Sequence, residues 1–106
     1  MNRSPSTTTS DQPFSQPVLE AVWAKAVIVP GHSPAKIRKD SCGAWMKRTE
    51  YGTQKDFGWE IDHIQPVSLN GSDELLNLQP LHWRNNRGKG DDYPNWACTV
   101  TGDAKP

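Results

Sequence analysis

At 106 residues the chain holds one small domain at most, and with 34% hydrophobic residues its core must be thin. Twelve basic and twelve acidic side chains cancel, so the total charge exerts no long-range pull toward nucleic acid. The polar opening lacks a signal-like apolar run and no segment reaches the roughly 20 apolar residues of a membrane span, so the expectation is a cytoplasmic protein without a membrane partner.

Residues 1–17, "MNRSPSTTTSDQPFSQP", are too poor in apolar side chains to offset the entropy of ordering and read as a flexible tail, leaving 18–106 as the single domain. Val18, Leu19 or Val22, Trp23, Ala26 and Val27 then recur at helical spacing, and Pro30-Gly31 ends the predicted helix. "HSPAKIRKD" reads as a polar connection with a helical turn opened by Ser33-Pro34. A short strand is expected in "CGAWMKRTEYG" and a better one in "FGWEIDHI", where Trp59 and Ile61 alternate with Glu60 and Asp62.

Pro66, the pair Asn70-Gly71 and a helical turn capped by Ser72 follow, with Asp73 and Glu74 in its first turn. "LLNLQPL" suits a second strand that Pro80 confines to an edge, and a helix runs from Leu81 to about Arg87, closed by Gly88 or Gly90. Five tryptophans supplement the aliphatic core, each able to bury about 200 Å². Cys42 and Cys98 are expected as free thiols packed as small hydrophobes, the alternative being a metal site shared with His82. The clusters Lys36, Arg38, Lys39, Lys47, Arg48 and Arg84, Arg87, Lys89 leave a basic face open, although a solvated surface is their commoner meaning.

Phosphodiester hydrolysis needs a divalent cation at the phosphate and a base for the attacking water. Asp62 offers a hard oxygen ligand and His63 a base that is largely neutral near pH 7. Neighbours in a strand face opposite ways, so the two share a site only where the strand ends, and Ile64-Gln65-Pro66 provides such an end. His82 and Asn86, four residues apart, lie on one helical face as further candidates.

"EIDHIQPVSLNGSDELLNLQPLHWRNNRGKGD" resembles the HNH nuclease motif: an Asp-His pair, a central Asn at 77, and a third Asn at 86, nine residues on. The resemblance covers residues 40–93. It implies an α+β fold of the ββα-metal type, with a short hairpin and site helix beside the N-terminal helix. It also implies His63 as general base, Asn77 holding the loop and orienting His63, and Asp62 and Asn86 binding one Mg²⁺ or Mn²⁺. Cleavage of DNA would leave 5′-phosphate and 3′-hydroxyl ends. The paired Cys-x-x-Cys motifs of many relatives are missing, so no structural zinc is expected.

His82 is either a packed neighbour of the site or an added ligand, and Arg84, Arg87 and Lys89 are candidate phosphate contacts. Three functions compete: a bacterial or phage endonuclease, a non-cutting nucleic-acid module within a larger assembly such as phage DNA packaging, and a metal-stapled structural domain. One site cuts one strand, so a double-strand break would need a homodimer, a larger nuclease assembly or two encounters.

Overall fold

The computed structural model describes residues 3–106, a small α+β fold of short antiparallel strands and helices. Helix α1, Gln16–Trp23, starts where the Ser15 hydroxyl accepts the Val18 N–H. It buries Leu19, Val22 and Trp23. The helix stops before the β-branched run Val27-Ile28-Val29, and this shortens the predicted helix: Val27–Ile28 instead forms strand β1.

Strand β1 opens a three-stranded antiparallel sheet with β2, Ile37–Lys39, and β3, Trp45–Lys47. The expected polar connection is therefore partly a strand. Its single apolar residue, Ile37, gave no alternation to read, and pairing with β3 from Ile37↔Lys47 to Lys39↔Trp45 supplies the order instead.

The second sheet pairs β4, Trp59–His63, with β5, Leu78–His82, from Trp59↔His82 to His63↔Leu78. Being two-stranded, it gives Pro80 a free edge on its far side. Between the strands, two 3-10 turns at Val67–Leu69 and Leu75–Asn77 fold the loop. Gly71 sits where a Cβ would stand 1.7 Å from the Gln65 carbonyl oxygen, so only glycine lets the loop close. Helix α2, Trp83–Lys89, follows β5 without a linker and ends at Gly90.

The core joins α1 to both sheets through Leu19, Val22, Trp23, Met46, Trp59, Ile61 and Leu78. Trp59, fully buried, meets Trp23 at 5.1 Å and Tyr51 at 4.8 Å between ring centroids. Most of the basic cluster on β2 and β3 is engaged locally. Arg38 donates to the Ala24, Ala26 and Pro34 carbonyls, Arg48 pairs with Glu20, and Lys39 and Lys47 lie over Trp45 and Phe57.

Two further expectations change. The described part of the supposed tail is a strap laid across β4. Ser6 Oγ accepts the Ile61 N–H at 2.8 Å and meets the Tyr51 hydroxyl at 2.7 Å, while Thr9 donates its N–H and hydroxyl to Asp73. Polar side chains paired with backbone groups order this segment, which is why its low hydrophobicity misleads. Cys42 and Cys98 form a disulfide with Cα atoms 5.9 Å apart, so they are not free thiols.

The disulfide tethers the C-terminal segment beside buried Asp40. That carboxylate accepts from the Cys42, Ala44 and His82 N–H groups and from Asn85 Nδ2. Asn85 in turn accepts the Thr99 and Val100 N–H groups. Helix α2 is thus pinned from behind.

Candidate active site

A cleft of about 220 Å³ opens between β4, α2 and the strap, lined by Asp62, His63, Asn86, Arg87, Arg3 and Ser6 among others. Asp62 and His63 both face it although they are neighbours in β4. His63 is the last residue of the strand, and the chain turns away toward Pro66.

Asp62 Oδ2 accepts Gln79 Nε2 at 2.9 Å, its cross-strand partner, and lies 3.3 Å from Lys89 Nζ. Burial pushes the Asp62 carboxyl above the ordinary carboxylate range, and the opposing pull of Gln79, Lys89 and His63 does not cancel it. Oδ1 has no hydrogen bond among the described residues, so one carboxylate oxygen is available at the cleft.

His63 is 5% exposed, and its Nε2 lies 2.8 Å from Asp73 Oδ1. Phe14 of the strap packs on its ring at 5.9 Å. Partial burial raises the Asp73 carboxyl, but hydrogen bonds from His63 and Thr9 outweigh this and hold it below its usual range. Asn77 holds the loop: its Oδ1 accepts the Gln65 N–H and its Nδ2 donates to the Gln65 and Ser72 carbonyls. It makes no hydrogen bond to the His63 ring; Asp73 occupies that role.

On α2 the two asparagines divide. Asn85 is fully buried and spent on Asp40 and the C-terminal backbone, whereas Asn86 lines the cleft and donates Nδ2 to Glu60 Oε1 at 2.8 Å. Arg87 also reaches the cleft, forked onto the same Glu60.

His82 lies outside the cleft: its Nε2 meets the Asp56 carbonyl at 2.7 Å and its Nδ1 accepts the Arg84 N–H as the cap of α2, so both ring nitrogens are engaged. This removes it as an added ligand. Arg84 stacks 4.5 Å over Trp83, facing away from the cleft toward a second cavity. Lys89 departs most from expectation, because it is 1% exposed and its ammonium turns inward to Asp62 and the His63 carbonyl, out of reach of a phosphate.

Sequence reasoning missed Glu60 and Asp73. Glu60 was within reach, since it shares the face of Asp62 two residues on. Asp73 carried no signal beyond a polar turn.

The donor set suits a hard cation. Among the described residues no three His, Cys, Asp or Glu side chains come together so as to hold a metal ion by themselves. One carboxylate and one amide oxygen at an open cleft match the way Mg²⁺ is held, with water and substrate phosphate completing its shell.

Residues 50–92 match the family model described as HNH endonuclease. No curated protein and no solved structure matches the chain.

Proposed function

We propose, proceeding from the match of residues 50–92 to the HNH endonuclease family model, that this protein hydrolyses DNA phosphodiester bonds with one Mg²⁺ or Mn²⁺ ion, β4, β5 and α2 acting as a ββα-metal unit. The observation that carries this is the convergence of Asp62, His63 and Asn86 on one cleft from a strand end and a helix. Asp62 Oδ1 and Asn86 Oδ1 would hold the ion, which supplies charge neutralisation at the scissile phosphate.

His63 accepts a proton from water as its oxygen attacks phosphorus. The bond from phosphorus to the 3′-oxygen breaks, and that oxygen takes up a proton, leaving a 3′-hydroxyl and a 5′-phosphate. Asp73, 2.8 Å from His63, orients the ring and offsets the positive charge it gains. Arg87 sits at the cleft to contact phosphate, with a side chain 41% exposed. Incubation with supercoiled plasmid and Mg²⁺ or Mn²⁺ tests the reading: nicks that form only with metal and that DNA ligase seals directly support it, and intact plasmid under either metal contradicts it.

A binding module without cleavage is the second reading, favoured by the zero net charge and by the inward turn of Lys89, both of which reduce the cationic surface for a free nuclease. Salt-sensitive DNA binding without nicking would support it. A homodimer or a larger assembly would let single-strand cuts combine into a double-strand break.

A further inference from the structure

We propose that Glu60 is a positioning residue of this site, setting which end of the Asn86 amide faces the cation and holding Arg87 for phosphate; this rests on the nuclease reading above. Glu60 and Asp62 are separated by one residue of β4, so their side chains leave the same face of the strand. That face meets α2. Glu60 is 4% exposed, and both carboxylate oxygens are engaged: Oε1 accepts from Asn86 Nδ2 at 2.8 Å and Arg87 Nε at 3.1 Å, and Oε2 from Arg87 Nη2 at 2.8 Å.

An asparagine amide has one donor end and one acceptor end. With Nδ2 spent on Glu60, Oδ1 is the end left at the cleft, and only an oxygen can ligate a hard cation. The reversed amide would press Oδ1 against a carboxylate and turn an NH₂ group toward the metal position, both repulsive. Glu60 therefore dictates the productive orientation without touching the ion. The same carboxylate grips one edge of the Arg87 guanidinium in a bidentate fork. Nη1 has no partner among the described residues, which leaves the other edge free at the cleft.

The sequence would have shown only an acidic residue in a strand. The structure assigns it two tasks, and each has its own readout. Mn²⁺ titration of the protein alone, followed by electron paramagnetic resonance, reads the Asn86 orientation; KM for plasmid cleavage reads Arg87.

Glu60→Ala is expected to weaken Mn²⁺ binding roughly 10- to 100-fold, the usual effect of losing a group that orients a ligand. Glu60→Gln covers the case in which the alanine variant does not fold. Its amide oxygen still accepts from Asn86 while its NH₂ opposes Arg87, so KM should rise with a smaller loss of Mn²⁺ affinity. Asp62→Asn and Asn86→Ala serve as controls. Failure of the wild-type protein to bind Mn²⁺ would overturn the metal-site reading and this role together. Binding that is lost in both controls but unchanged in the Glu60 variants, with KM also unchanged, would overturn the role of Glu60 alone.

Discussion

Replacing Lys89 by methionine separates a buried structural charge from a surface phosphate contact. Its side chain is 1% exposed and its ammonium stands 3.3 Å from Asp62 Oδ2 and 3.1 Å from the His63 carbonyl oxygen. Methionine fills most of the volume but leaves the Asp62 carboxylate, 6% exposed, without its cation. Removing one partner of a buried ion pair costs about 3–5 kcal/mol. For a domain of this size, stable by about 5–15 kcal/mol, that is roughly a fifth or more of the total.

The cost should depend on pH. Asp62 already titrates above its ordinary 3.8 in the folded protein, because burial disfavours its charge, and losing Lys89 raises it further. A carboxyl raised by folding lowers stability as pH climbs from the unfolded value through the folded one, so acid restores what neutral pH removes. Urea unfolding followed by tryptophan fluorescence should therefore show a larger deficit for Lys89→Met at about pH 7 than at about pH 5. Adding Asp62→Asn should recover part of the loss. A deficit below about 1 kcal/mol at neutral pH, or one equal at both pH values, would refute the buried-pair reasoning.

Asp73→Asn keeps an acceptor but not a charge beside His63, so kcat for plasmid nicking should fall about tenfold or more with KM little changed, within the range general-base catalysis commands; an unchanged kcat would remove Asp73 from the site. Breaking Cys42–Cys98, which closes a separation of 56 residues, should cost about 4 kcal/mol on loop entropy and lower the melting temperature of the reduced or Cys42→Ser/Cys98→Ser protein. Arg87→Ala should reduce the slope of log K against log salt for duplex DNA binding by about 0.9, whereas Lys89→Met should leave it unchanged because that charge never reaches the surface.

Strongly patterned segments were legible. The alternation around Trp59 and Ile61 locates β4, Pro80 correctly marks an edge strand, and Gly90 closes the site helix. The spacing of Asp62-His63, Asn77 and Asn86 picked out residues that meet at the cleft or fold its loop. What failed to read out rests on pairings distant in sequence. Ser6 and Thr9 are ordered by Ile61 and Asp73, more than fifty residues away, so composition alone suggests a loose tail. The inward turn of Lys89 depends on Asp62 lying across from it, and a lysine in the last turn of a helix ordinarily signals solvent. The spacing singled out Asn86 but gave no reason for Asn85 to turn away; Asp40, brought up by the β2–β3 turn, claims Asn85, and Asn86 is left to the cleft.

If His63 takes the proton from the attacking water, its removal should slow the chemical step and leave binding intact. Single-turnover nicking of supercoiled plasmid by wild-type protein and His63→Ala, each saturated with Mg²⁺ or Mn²⁺, isolates that step. The variant should nick about 10²- to 10⁴-fold more slowly with DNA affinity retained. Equal rates for the two proteins would contradict proton transfer to His63.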